Sequence, residues 1–272
     1  MVLKTIIFHD LDNNNMIQNK IFSIVILATL TFWVASCGDE TNSFQSITPV
    51  SGARIKFVHA SPDIAGIDIY VNDKKFSGVN TSPPAAPALL TYGNSFPSTA
   101  EYATLPAGKA KIGVVVPSLN VTAIATDLTV EEGKYYSVFA TGIAPNYAPL
   151  VLEDKLPVPA GKTIFVRVVN LIPNSTTAEF TVNGQTIATG VAFKNTDNTF
   201  YSVPIDAFSA GTISVPFIVK VLGGIAPVIN TTVSQTLVIP GKVYTVFARG
   251  VVTTDATNPT KYAPSTIISV NR

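Results

Sequence analysis

Cysteine, histidine and tryptophan are nearly missing from this chain. One cysteine, Cys37, stands among 272 residues, so no disulfide can close within it. The histidines are His9 and His59, and the one tryptophan is Trp33. Beyond Cys37 there is thus a single histidine, no tryptophan and no second thiol. That excludes Cys–His nucleophile pairs, tryptophan stacking platforms and most transition-metal sites. Charge is scarce too, at 13% of residues with a net of +1, against roughly 25% in an average soluble protein. A phosphate-binding surface needs clustered Lys and Arg, so nucleic acid is not an expected partner. Sustained helical periodicity is also missing after Cys37. Apolar residues make up 47% of the chain, and Thr, Ser, Val and Ile fill the places charge leaves, as half-buried strands favour.

The N-terminus reads as an address. Ile21 to Phe32 is a nearly unbroken apolar run after Lys20, and small residues lead from it to Cys37. A charged start, a short apolar stretch and a small-residue exit describe a secretory signal peptide. The run is shorter than the roughly 18 apolar residues a membrane span needs. Val34, Ala35, Ser36 and Cys37 resemble the lipobox of bacterial lipoproteins. This resemblance implies a diacylglyceryl group on the Cys37 sulfur and cleavage just before it. Met16 offers a more ordinary start than Met1, which precedes an Asn13-Asn14-Asn15 run. Residues 1–36 are therefore assigned to the signal and 37–52 to a lipidated tether. Within the tether, Asp39 and Glu40 resemble the surface-export signal of Bacteroidetes lipoproteins.

The body repeats itself. Lys56-Phe57-Val58-His59-Ala60-Ser61-Pro62-Asp63 aligns with Arg167-Val168-Val169-Asn170-Leu171-Ile172-Pro173-Asn174. Gly133-Lys134-Tyr135-Tyr136 aligns with Gly241-Lys242-Val243-Tyr244, and both copies end on Tyr-Ala-Pro. A spacing of roughly 110 residues is too long for a solenoid repeat and suits a sandwich domain of about 100 residues. The expected architecture is all-β: two tandem immunoglobulin-like (fibronectin type III-like) β-sandwich domains, 53–157 and 158–272. The prolines of Leu156-Pro157-Val158-Pro159 are expected to stiffen the linker.

Alternation marks the strands. Ile55, Phe57 and His59 face opposite to Arg54, Lys56 and Val58, and Ile67, Ile69 and Val71 opposite to Asp68, Tyr70 and Asn72. Asn183-Gly184, and less strongly Asn72-Asp73, favour type I′ hairpin turns. Further strands are expected near Lys109 to Val116, Val121 to Val130, Tyr135 to Thr141, Leu150 to Leu156, Thr212 to Leu222, Thr231 to Ile239, Val243 to Gly250 and Ser265 to Val270. Tyr136 and Tyr244 each follow a turn at the head of a strand. This resembles the tyrosine corner, whose ring packs in the core while its hydroxyl bonds upstream backbone.

Val58-His59-Ala60-Ser61-Pro62-Asp63, then Ile67-Asp68-Ile69-Tyr70-Val71-Asn72, resembles the opening of the domain of unknown function 4397 family. Leu105-Pro106-Ala107-Gly108 and Gly133 to Tyr136 fit the same pattern. The second copy keeps the strands but has Asn170, Ile172 and Asn174 where the first has His59, Ser61 and Asp63. The resemblance implies a fold and a secreted or surface location, and no activity.

His59, Ser61 and Asp63 invite a hydrolase reading, since a triad needs base, nucleophile and carboxylate. Crowded around Pro62, they fit better as polar caps of a turn. Glu131-Glu132 and Glu153-Asp154 are expected as solvated charges. The Asn195-Thr196-Asp197-Asn198 stretch is the nearest thing to a calcium loop and is better read as a polar hairpin. Two loops that differ between the copies are the candidate binding surfaces, through Leu89, Leu90 and Tyr92 of Asn80 to Asn94, and Phe200 and Tyr201 of Phe193 to Tyr201; the reading weighed ahead of binding is that they fold back onto their own domain or pack between the domains. The expectation is a non-enzymatic outer-membrane lipoprotein of the cell envelope, exposed at the cell surface, that binds, adheres or scaffolds. It needs no cofactor and no metal, and its partners are the membrane through the anchor and an extracellular or periplasmic protein or glycan. The rivals are an envelope hydrolase using His59 and Asp63, and a passive spacer.

Overall fold

Every regular element among the described residues is a strand. The computed structural model describes residues 51–78, 88–98, 101–158, 162–194, 198–205, 215–222, 228–233, 240–252 and 262–271. In the first half, β1 (Ala53–His59), β2 (Gly66–Val71), β3 (Lys74–Lys75), β4 (Leu90–Thr91), β5 (Ser95–Phe96) and β6 (Ala103–Leu105) lead to four longer strands. These are β7 (Gly108–Val116), β8 (Val121–Val130), β9 (Tyr135–Ile143) and β10 (Asn146–Glu153). The second half runs β11 (Thr163–Leu171), β12 (Thr177–Val182), β13 (Gln185–Val191), β14 (Tyr201–Pro204), β15 (Val215–Leu222), β16 (Val228–Val233), β17 (Val243–Arg249) and β18 (Ser265–Val270).

The strand order of one half repeats that of the other. One sheet runs β10-β9-β1-β5 and its counterpart β18-β17-β11-β14; the other runs β3-β2-β7-β8 and its counterpart β13-β12-β15-β16. Even the register of the parallel pairs agrees: Ile55 lies beside Tyr136, and the aligned Val166 beside Tyr244. Both hairpins after the second strand turn through positive φ, at Asn72 and Asp73 in one half and at Asn183 and Gly184 in the other. These are the angles of a type I′ turn, which matches the twist of the flanking strands.

Alternation builds the cores. Ile55, Phe57, Ile67, Ile69, Ile112, Val114 and Val138 close one between the first two sheets. Val166, Val168, Phe180, Val182, Phe217, Val219 and Val246 close the other. This arrangement is consistent with a β-sandwich in each half. The β10 strand starts at Asn146, earlier than the expected Leu150. Pro149 is tolerated there because β10 is an edge strand, where a missing N–H breaks no ladder.

Some strands bury their other face as well. Val58, Ala60, Phe139, Leu152, Val169, Leu171 and Phe247 form a third apolar cluster, where β1, β9 and β10 meet β11 and β17. Phe139 and Phe247 occupy aligned positions and meet edge to face, 5.6 Å between ring centroids. Equivalent faces thus pack on each other, as in a two-fold pairing, and Val50–Arg272 clusters as one compact unit.

Candidate functional site

The lipobox residues Val34, Ala35, Ser36 and Cys37, and the export residues Asp39 and Glu40, lie outside the described residues. So do Asn195, Thr196 and Asp197 of the calcium-like stretch and Pro159 of the linker. Among the described residues, no group of three His, Cys, Asp or Glu side chains could hold a metal ion.

His59 ends β1 fully buried. Its Nε2 lies 3.1 Å from the Ile64 carbonyl oxygen, and its Nδ1 accepts the Ser61 backbone N–H at 3.3 Å. Those partners require the Nε2–H tautomer. A triad base would accept a proton from the nucleophile's hydroxyl and donate to a carboxylate. Both ring nitrogens are spent on backbone instead. Asp63 accepts from the Ala144 N–H at 2.8 Å and from the Tyr147 hydroxyl at 2.7 Å. Ser61 Oγ is buried and has no hydrogen-bond partner among the described residues. Burial pushes the His59 imidazole down to about 4; the Ile64 carbonyl opposes this, the Arg249 cation adds to it and Asp63 offsets a little.

The second half makes the same turn with amides. Asn170 Oδ1 accepts the Ile172 N–H at 3.0 Å, as His59 Nδ1 accepts that of Ser61. Its Nδ2 donates to Ser175 Oγ and to the Val191 carbonyl, each at 2.9 Å. Asn174 Oδ1 accepts the Val252 N–H at 2.9 Å, the counterpart of Asp63 and Ala144. An acceptor and a donor at fixed places are what this turn uses.

Tyr136 is buried in the first core, and its hydroxyl accepts the Glu131 N–H at 3.2 Å. Tyr244 is buried at the matching place in the second core. Tyr136→Phe should cost about 1 kcal/mol, the net worth of one hydrogen bond whose donor stays partly wet, measured by urea unfolding.

The loop residues part company. Leu90 is buried in the first core, and Tyr201 packs against the second. Tyr92 lies 5.9 Å from the His59 ring, and the Arg249 guanidinium sits 3.9 Å from its centroid. Phe200 lies 4.9 Å below the Arg167 guanidinium. Tyr92 and Phe200 thus serve contacts to charged groups. Leu89 stays 41% exposed, on an open groove of about 450 Å³ shared with Ala88, Phe96 and Pro97. Sequence reasoning missed the exposed Leu119 and Val121 on the β7–β8 hairpin.

It also missed a buried polar seam beside the third cluster. Asp154, expected as a solvated charge, is 3% exposed. Its Oδ1 meets Arg167 Nη1 at 2.6 Å, both side chains fully enclosed. Asp154 Oδ2 accepts from the hydroxyls of Ser137 and Tyr102, each at 2.7 Å. Arg167 donates to Thr245 Oγ1 at 2.9 Å and to Asn198 Oδ1 at 2.8 Å. Thr245 donates to Asn271 Oδ1, and Asn271 Nδ2 to the Tyr102 hydroxyl, each at 2.7 Å. The ring closes from Asp154 through Arg167, Thr245, Asn271 and Tyr102 back to Asp154. Beside the ring, Lys56 Nζ donates to the Val270 carbonyl at 2.7 Å. The one hint in sequence was Val138-Phe139 and Val246-Phe247, paired apolar residues that bury both faces of a strand.

No curated protein matches the chain. Residues 53–171, the whole first half together with β11, match the family model described as Domain of unknown function (DUF4397).

Proposed function

We propose that this chain is a non-enzymatic, lipid-anchored protein of the cell envelope that binds, adheres or scaffolds. In this reading both halves are DUF4397-type domains of immunoglobulin-like, fibronectin type III-like form, bounded at 53–157 and 158–272. The pairing of the first strand parallel to a late one and the Tyr136 hydroxyl contact support that form. The observation that carries the non-enzymatic reading is the use of His59 as a turn cap, copied by Asn170. Anchoring rests on the lipobox-like Val34 to Cys37, with about 0.8 kcal/mol of membrane affinity per buried methylene. The apolar groove at Leu89 is the surface such a role would use.

The test is cell fractionation with protease access. Wild type should pellet with membranes, and Cys37→Ala should move to the soluble fraction or the medium. Wild type cut on intact cells would put the ligand outside the cell; protection until the outer membrane is broken would put it in the periplasm and overturn the export role of Asp39 and Glu40. A Cys37→Ala chain that stays on the membrane would overturn the anchor.

A further inference from the structure

The internal repeat pairs the residues of the seam. Lys56 lies beside Ser137 as Arg167 lies beside Thr245, and the Asp154 N–H bonds the Tyr135 carbonyl as the Asn271 N–H bonds that of Val243. The buried Arg167–Asp154 ion pair therefore has as its mirror a lysine facing a carboxamide. An arginine and a carboxylate can only pair. A lysine amine and a carboxamide can condense.

We infer that Lys56 and Asn271 become joined by a side-chain amide bond, a covalent staple between the first strand and the residue that follows the last. Two anchors place the amine within side-chain reach of the carboxamide. Lys56 Nζ is 2.7 Å from the carbonyl oxygen of Val270, the residue before Asn271. It is also 4.9 Å from the centroid of the Tyr102 ring, whose hydroxyl is 2.7 Å from Asn271 Nδ2. Lys56 and Asn271 are 1% and 2% exposed, so water does not compete for the reacting carbon.

The surroundings suit each step. Burial draws the Lys56 ammonium down to about 8, with Asp154 pulling the other way, so the free amine is within reach near neutral pH. The Thr245 hydroxyl donates to Asn271 Oδ1 and itself receives a bond from Arg167. It polarises the carbonyl and holds the charge that develops on the oxygen. The ammonium first passes one proton to Asp154. The amine lone pair then forms the bond to Cγ. The new N–C linkage gives up a proton, which Tyr102 relays to Nδ2, and the Cγ–Nδ2 bond breaks. Nδ2 departs as ammonia and takes the proton held by Asp154, leaving as ammonium. One ammonium group and one carboxamide become one amide and one ammonium ion, with no oxidant or co-reactant.

The full chain, purified in detergent, is digested with trypsin and mapped by mass spectrometry, beside Lys56→Arg. The expected result is one peptide species carrying Lys56 linked to Asn271, lighter than its two parts by one ammonia, with the chain uncut after Lys56. The intact Lys56→Arg chain should be heavier than wild type by the substitution plus one ammonia. Lys56 and Asn271 recovered in separate peptides would overturn the inference, including the case in which an ammonia is lost from Asn271 alone.

Discussion

His59→Asn should leave the protein folded and make it less sensitive to acid. The folded imidazole sits at about 4, against roughly 6.5 in an unfolded chain. As pH falls through that window the unfolded state takes up a proton that the folded state refuses. Stability contributed by the neutral ring is therefore full above about pH 6.5, is lost as pH falls, and is gone below about pH 4. The difference amounts to about 3 kcal/mol. Asparagine supplies the same acceptor and donor, as Asn170 does on the matching turn, and cannot titrate. Urea unfolding of both proteins from pH 7 to pH 4 should show a steeper loss in wild type. Equal slopes would contradict the burial and the bonding assigned to His59.

Asp154→Asn should be among the most damaging single substitutions. Removing one partner leaves the Arg167 cation enclosed without its counter-charge, a loss of about 3–5 kcal/mol. The effect should be read at pH 7 by urea unfolding. Asp154→Leu with Arg167→Met should recover most of the loss, since it removes both charges from the enclosed seam. As a contrast, Asp127→Asn breaks an ion pair to Lys109 whose members are 57% and 70% exposed, and it should change nothing measurable. Equal effects at positions 154 and 127 would show that the seam is wet.

Much of the fold was legible because it follows from local rules. Period-two alternation gave Ile55 to His59 and Ile67 to Val71, and the Asn183-Gly184 turn follows from the angles that pair prefers. The second half repeats the bonds of His59 and Asp63 with Asn170 and Asn174. The seam left only the adjacent apolar pairs Val138-Phe139 and Val246-Phe247 as a trace. Lys56, Arg167 and Asp154 have the polarity of a solvated face, and only the contact with the other half encloses them. Pairing between distant, repeated faces leaves no local periodicity of its own. Nor does a loop's composition say where its residues point, so Leu90 and Tyr201 went to cores while Leu89 stayed outside.

The most direct test of a non-catalytic His59 is its titration by NMR in the processed chain, with His59→Asn to assign the signals. A turn cap predicts a neutral ring with the proton on Nε2 and a midpoint near 4. A midpoint at 6.5 or above, or a proton on Nδ1, would mean that the ring is free to act as a base, and the account of this site would be contradicted.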